Sequence, residues 1–145
     1  MDFRDIRILD VEEAETLAKH LGELSLPGLT TLSPEVATAL AKHKGDLVLN
    51  GLTMLSPQAA EALAKHEGLL SLNGLTTLPP EVAEAFTIHD GLLILDGLRT
   101  LSAEAATALA KNWGKLYLRG LTKLSLQAAE SLRAHPDIHL PKRFR

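Results

Sequence analysis

Residues 47–69 read LVLNGLTMLSPQAAEALAKHEGL, and the chain is built by repeating this unit in register. At a spacing of 23 residues the sequence divides into six blocks, which begin at Met1, Leu24, Leu47, Leu70, Leu93 and Leu116. Three blocks keep the pattern L-x-L-x-G-L-T-x-L-S/P-P-E/Q-x-A-x-A, and two more differ from it at two positions each. A fixed period of this length predicts a solenoid, in which each unit buries its apolar face against its neighbours.

Each block is expected to form a strand, a turn and a short helix. The first and third leucines alternate with outward residues, as in a strand with one buried side. Gly51 marks the strand exit, where positive φ or close packing between coils favours glycine. Ser56 and Pro57 indicate a helix start, because serine accepts hydrogen bonds from free N–H groups and proline needs no donor there. Gly68 is predicted to cap the C-terminus of that helix.

The composition indicates one domain with a core of aliphatic residues. The 145 residues are 46% hydrophobic and 3% aromatic, so leucine and alanine must fill the core. We divide the single domain 1–145 into an N-terminal capping repeat at 1–23, five repeats at 24–138, and a closing strand with a basic tail at 139–145. The net charge of −3 gives no reason to expect nucleic acid or a membrane as a partner. Because we find no cysteine, long apolar run or signal peptide, we expect a cytoplasmic location.

The spacing of the two element types predicts a curved molecule. Parallel strands stack about 4.8 Å apart, whereas packed helix axes need about 8–10 Å. We therefore predict an α/β fold in the form of a right-handed solenoid. Its short parallel strands are expected on the concave face and its short helices on the convex face.

The pattern L-x-L-x-G-L-T-x-L resembles the leucine-rich repeat, in the bacterial 23-residue form related to the Treponema/BspA-like class. The resemblance covers nearly the whole chain and implies a scaffold that binds another protein and has no catalytic residue. One feature departs from the family, which places Asn or Cys after the strand, where this chain has Gly-Leu. Asn50 and Asn73 precede the glycine, so we do not equate them with the asparagine ladder of the family.

The outward strand positions are the best candidates for a binding site. They vary from block to block, whereas the inward positions beside them are almost always leucine. The candidate partner-binding residues are Val48, Asn50, Ser71, Asn73, Ile94, Asp96, Tyr117 and Arg119. Tyrosine and arginine are favoured at interface hot spots, which supports protein recognition. The alternative is ordinary solvated strand surface, since β-branched residues also favour strand conformation.

A column of histidines is the second candidate. His20, His43, His66, His89 and His135 share one block position, and Asn112 occupies it in the remaining block. Zinc needs its nitrogen ligands within about 2.1 Å, and helix ends one repeat apart lie about 8–10 Å from each other. We therefore predict no metal site and no cofactor, and a structural role in which each ring donates to a carbonyl at a helix end. Protonation of the column is expected to change stability between about pH 5 and pH 7.

The two ends of the chain carry opposite charge. Residues 1–23 have seven acidic and three basic side chains, whereas residues 116–145 have two acidic and six basic ones. Ordinary capping of the solenoid explains this, and head-to-tail self-association is the alternative. The only tryptophan, Trp113, is predicted to pack over the junction of the last two helices rather than to contact a partner.

The sequence contains no enzyme motif. It has no phosphate-binding glycine loop, no H-E-x-x-H, no G-x-S-x-G and no cysteine nucleophile. We therefore expect a non-catalytic scaffold for a protein partner of unknown identity. A self-associating structural module and a regulatory fragment of a larger enzyme are the alternatives.

Overall fold

The computed structural model describes residues 3–145 and, within them, six helices alternate with six strands. The helices are α1 (Val11–Ala18), α2 (Pro34–Leu40), α3 (Pro57–Leu63), α4 (Pro80–Ala85), α5 (Ala103–Ala110) and α6 (Leu126–Arg133). The strands are β1 (Leu24–Ser25), β2 (Leu47–Val48), β3 (Leu70–Ser71), β4 (Leu93–Ile94), β5 (Leu116–Tyr117) and β6 (Ile138–His139). Two 3₁₀ helices cover Phe86–Ile88 and Lys142–Phe144. None of the helices in the described range is long and apolar enough to cross a bilayer.

The six strands form one open parallel sheet in chain order. Leu24 is paired with Leu47, and the same one-repeat step leads on to Leu116. The last step joins Leu116 to Ile138, so the final repeat is one residue shorter than the others. This arrangement confirms the predicted α/β repeat solenoid.

One continuous core runs through all the repeats. In the type repeat Leu47, Leu49 and Leu52 are fully buried, and they meet Ala60 and Leu63 of α3, which are fully buried too. The same positions form the core of the neighbouring repeats. Alanine on the inner helix face leaves room for the leucines of the sheet, and each buried leucine contributes about 1.5–3 kcal/mol.

The predicted serine caps are confirmed at four helix starts. The hydroxyl of Ser56 accepts a hydrogen bond from the backbone N–H of Ala59 at 3.1 Å. Equivalent bonds at 3.1–3.2 Å begin α2, α5 and α6 and are made by Ser33, Ser102 and Ser125. Pro79 stands at the start of α4 and offers no side-chain cap. In α1 the cap is Asp10, which forms a capping box with Glu13 that the sequence analysis did not anticipate.

The prediction that glycine caps the helices was wrong. Helix α3 ends at Leu63, and Gly68 lies beyond it in the loop to β3. Gly68 adopts a φ of 104°, which supports a turn, but Gly91 one repeat later does not adopt a positive φ. A Cβ on Gly91 would overlap the carbonyl oxygen of Gly68. Glycine is needed here because backbones of successive repeats touch.

Close packing also explains the glycine at the strand exit. The sequence favoured glycine at the strand exit either for a positive φ or for close packing between coils. Gly97 does not adopt a positive φ, which leaves close packing. A Cβ on Gly97 would overlap the carbonyl oxygen of Asn73 in the preceding repeat. The absence of a side chain therefore lets the turns stack at the spacing of the strands.

The ends of the solenoid are built differently from its middle. Within the part of the capping repeat 1–23 that the structure describes, from residue 3 onwards, there is a helix but no strand. Its Phe3 and Ala14 are buried against the core. At the other end, strand β6 starts at Ile138, one residue before the predicted closing segment 139–145. Phe144 packs on the core, and Arg145 Nε donates to the carbonyl of Leu140 at 3.0 Å.

The two glycine roles predict different costs for substitution. Gly97→Ala should lower the free energy of unfolding by about 3 kcal/mol, because the new Cβ displaces a backbone carbonyl in a packed interior. Gly68→Ala is the matched comparison, since its Cβ would meet only the His66 ring at an ordinary contact distance of 3.8 Å and the cost is limited to about 1–2 kcal/mol of backbone strain. Urea unfolding followed by circular dichroism measures both. Equal losses would contradict the close-packing role.

Candidate functional site

The outer row of candidate residues is brought together on one face of the sheet. Val48 is paired with Ser71, Ser71 with Ile94, and Ile94 with Tyr117. Val48, Ile94 and Tyr117 are half-buried, and Ser71 is buried. The sheet thus presents a row of apolar and small side chains that are partly open to solvent.

The second row of candidates forms a ladder of hydrogen bonds between repeats. The side-chain oxygen of Asn50 accepts from the backbone N–H of Asn73 at 2.9 Å and from the Ser71 hydroxyl at 2.8 Å. Asn73 Oδ1 accepts in turn from the N–H of Asp96 at 2.9 Å. Asp96 Oδ1 accepts from the N–H of Arg119 at 2.9 Å.

The sequence did not lead us to expect this ladder through Asn50 and Asn73. The chain leaves the sheet at this position, so the backbone N–H lacks a strand partner and needs another acceptor. The side chain one repeat earlier supplies it. Asn50, Asn73 and Asp96 therefore hold the repeats together, whatever else they contact.

A more elaborate cluster closes the strand face at its C-terminal end. The Tyr117 ring lies 4.4 Å from the ring of His139, and the Arg119 guanidinium lies 4.6 Å from the Tyr117 ring centre on its face. Arg119 Nε and Nη2 donate to Asp96 Oδ2 at 3.0 and 2.6 Å. This hydrogen bond raises the pKa of Arg119 above its ordinary value. We call Ile94, Asp96, Tyr117, Arg119 and His139 the tyrosine patch.

His139 is the member of this patch that the sequence analysis missed. It was assigned to the tail, because it lies outside the last full 23-residue block. The shortened final repeat pairs it with Tyr117, so it continues the outer row. Pro136 and Asp137 stand where earlier blocks have a longer glycine loop, and that deletion was the available signal.

Trp113 projects into solvent, and the prediction that it packs over the helix junction was wrong. Its side chain is 78% exposed. Its neighbour Asn112 is buried and accepts a hydrogen bond from the Gly114 N–H at 2.8 Å. This bond fixes the loop with Asn112 turned inward, so Trp113 turns outward.

Four of the five histidines of the column are buried, and two of these four bond to the preceding repeat. His43 places Nδ1 3.1 Å from the carbonyl oxygen of Ala18, the last residue of α1, and Nε2 2.8 Å from that of Gly22. His66 Nε2 lies 2.9 Å from the Gly45 carbonyl oxygen. His43 and His66 thus bond to carbonyls of the preceding repeat and not to the end of their own helix, and Ala18 is the one helix residue among these acceptors.

Asn112 performs the same task without a ring. Its Nδ2 donates to the carbonyls of Phe86 and His89 at 2.6 and 3.0 Å. Both acceptors belong to the preceding repeat. A side-chain amide therefore satisfies this position fully, which supports the structural role predicted for the column.

The rings of the column lie closer together than predicted. His43 and His66 are stacked with centroids 6.5 Å apart, and His66 and His89 with centroids 6.4 Å apart. The column runs along the loops between helices and strands, so its spacing lies between those of the two elements. No group of three or more His, Asp or Glu in residues 3–145 is arranged to hold a metal ion.

Burial lowers the pKa of His66 and of His89 below the ordinary value of 6.5. The neighbouring rings of His43 and His89 lower that of His66 further by charge repulsion. His89 is fully buried, and neither of its ring nitrogens has a hydrogen bond of good geometry, although nearby backbone carbonyls favour the charged form. The centre of the column therefore favours neutral imidazole.

The ladder can be tested at its central member. Asn73→Ala should lower the free energy of unfolding by about 1–3 kcal/mol, because the Asp96 N–H loses its acceptor. Asn73→Asp is the matched control: it keeps the oxygen, as Asp96 does one repeat later. Urea unfolding measures both variants. An Asp variant as unstable as the Ala variant would contradict the ladder.

The histidine pKa values predict the direction of the pH effect. Because the folded pKa values of His66 and His89 lie below 6.5, the unfolded state binds more protons as the pH falls. The free energy of unfolding should be highest above pH 6.5 and decrease from there toward the folded pKa values.

His89→Asn, which introduces the residue found at position 112, should flatten this dependence. The matched control His139→Asn removes a half-exposed ring and should keep it, as measured by melting temperature between about pH 5 and pH 7.5. An unchanged slope in His89→Asn would refute the assignment.

Two features thus stand out from the repeat, the tyrosine patch and Trp113, whereas the histidine column belongs to it. No protein-family model and no curated protein matches this chain.

Proposed function

We propose that the protein is a non-catalytic scaffold of the leucine-rich-repeat type, which binds a protein partner on its strand face. The tyrosine patch is the observation that carries this proposal. Tyr117 is held between Arg119 and His139, and Arg119 is fixed by Asp96. Tyrosine and arginine dominate binding energy at protein interfaces. Side chains that are already held in place lose less entropy when a partner binds.

The rest of the strand face suits the same role. Val48 and Ile94 expose part of their apolar surface beside the rigid ladder. The helix side of the molecule carries exposed charged residues such as Glu61 of α3 and Lys65 just after it. A partner therefore gains more binding free energy by covering the strand side, which we expect to be concave, than by covering the helix side.

The size of the face indicates which other residues take part. Six strands spaced about 4.8 Å apart span about 24 Å, and a strand with its flanking residues adds about 13 Å, which makes about 300 Å². A stable protein interface needs about 800 Å² from each partner. The partner must therefore also contact the turns that follow the strands.

The alternative of end-to-end stacking is less well supported. The opposite charges of the two ends favour it, but the basic tail folds back over the last repeat. Phe144 packs on the core, and its carbonyl accepts from Arg133 Nη1 at 3.3 Å. These contacts cover the apolar end that a second copy would need.

The proposal predicts which change abolishes partner binding. The double variant Ile94→Ser with Tyr117→Ala should bind the partner at least about thirtyfold more weakly, the cost of removing a hot spot. Immobilised wild type and variants capture proteins from an extract of the source cell, with mass spectrometry as the readout. The matched control is Ile88→Ser, which removes one exposed apolar side chain outside the strand face and should leave partner capture unchanged.

A partner retained by the double variant would contradict the proposal. Reversing the charges of Lys142, Arg143 and Arg145 serves as the test of the alternative, with light scattering at low and high salt. A wild-type oligomer that dissociates in this variant would support end-to-end stacking in place of strand-face recognition.

A further inference from the structure

We infer that the strand face takes an acidic protein segment, which seats an apolar residue on the tyrosine patch and places its carboxylates on the adjoining turns. This inference rests on the proposed function and names the chemistry of its partner. It is carried by three cations that the repeat does not require.

Arg99, Arg119 and Lys123 occupy positions that are uncharged or acidic in the other regular repeats. The position of Arg99 holds Thr30, Thr53, Thr76 and Thr122. The position of Arg119 holds Pro27, Asn50, Asn73 and Asp96. The position of Lys123 holds Thr31, Met54, Thr77 and Thr100. The cationic residues are thus departures from the pattern, all in the last two regular repeats.

The structure places these three residues on adjoining turns. Arg99 Nη1 donates to the carbonyl of Gly120, next to Arg119, at 3.0 Å. The N–H groups of Thr122 and Lys123 donate to the Arg99 carbonyl at 2.8 and 3.3 Å. We call Arg99, Arg119 and Lys123 the cationic turn. It begins where the tyrosine patch ends, because Arg119 belongs to both.

The cationic turn carries more positive charge than its neighbours neutralise. Asp96 is paired with Arg119, but only 19% of its side chain is exposed, compared with 56% of that of Arg119. Asp137 lies beside the tyrosine patch, 3.9 Å from His139, and is paired with Lys115 at 4.0 Å. Arg99 and Lys123 are exposed and have no carboxylate partner among the described residues. A surface of one sign attracts and orients a segment of the opposite sign.

The neighbouring residues favour an acidic protein segment over a nucleic acid. The positive region is confined to one end of a chain whose net charge is −3, and residues 1–23 are strongly acidic. A long polyanion would extend from the cationic turn toward repelling carboxylates. The half-buried Ile94 and Tyr117 beside the cations fit a short segment with one apolar residue and a few carboxylates.

The test uses three labelled pentapeptides as probes, Glu-Glu-Phe-Glu-Glu, Gln-Gln-Phe-Gln-Gln and Lys-Lys-Phe-Lys-Lys. Titration into ¹⁵N-labelled protein should shift the amide signals of Tyr117, Arg119 and Lys123 with the acidic peptide. The neutral peptide should bind about tenfold more weakly and the basic peptide not at all. The affinity of the acidic peptide should fall between about 50 mM and 500 mM salt.

Two charge variants locate the binding. The double variant Arg99→Thr with Lys123→Thr restores residues that other repeats carry at these positions, and should weaken the acidic peptide about tenfold. The matched control, Lys42→Thr with Lys65→Thr, removes two exposed cations outside the turn and should leave binding unchanged.

Several results would overturn the inference. They are equal binding of the neutral peptide, an equal loss in both charge variants, and tighter binding of a single-stranded DNA 12-mer or of phosphatidylserine vesicles at the same residues. If the acidic peptide fails but Ile94→Ser with Tyr117→Ala still loses its captured partner, only the acidic chemistry is wrong. If that variant keeps both the partner and the acidic peptide, the strand-face proposal fails as well.

Discussion

From β1 to β6 each repeat is joined to the one before it by parallel strand pairing, and the rest of the structure depends on the spacing that this pairing sets. The Leu24 N–H donates to the Asp46 carbonyl at 2.8 Å, and the Leu47 N–H to the Leu69 carbonyl at 3.0 Å. These hydrogen bonds set the spacing between successive repeats, and the residues at each equivalent position must pack within that spacing. Gly91 and Gly97 have no side chain because the backbone before them already occupies its place. Backbone N–H and C=O groups that lack a partner at the strand exit and in the loop are then hydrogen-bonded by side chains of an adjacent repeat.

The sequence predicted the strands and the helix starts within each repeat better than it predicted the contacts between one repeat and the next. The period, the inward leucines and the cap at Ser56 were predicted correctly because they follow from local rules of strand and helix formation. The hydrogen-bond ladder through Asn73 was missed because the position of Asn73 was compared only with the asparagine position of the leucine-rich-repeat pattern. The orphan N–H that it serves exists only when two repeats are stacked. His139 was missed for a related reason, since one deleted residue moves it into the outer row.

Contacts between repeats also narrow the candidate site. Of the eight residues chosen from the sequence, Asn50 and Asn73 use their side-chain oxygens to support the stack, so their presence needs no partner to explain it. Asp96 has both roles, because Oδ1 continues the ladder and Oδ2 holds Arg119 over Tyr117. The tyrosine patch is therefore positioned by the same interaction that holds the repeats together. A partner would meet side chains whose orientation folding has already fixed.

The lowered pKa values of His66 and His89 lead us to expect that the repeats respond unequally to acid. Stability in a solenoid is close to a sum over neighbouring units, so each interface responds to the groups that it contains. His66 and His89 lie in the middle repeats, where burial favours the neutral ring. At the equivalent position of the next repeat stands Asn112, which does not titrate and donates to the carbonyls of Phe86 and His89 in the preceding repeat. Acid therefore weakens the interfaces around His66 and His89 more than the link at Asn112, which adjoins the repeats that carry Ile94 and Tyr117.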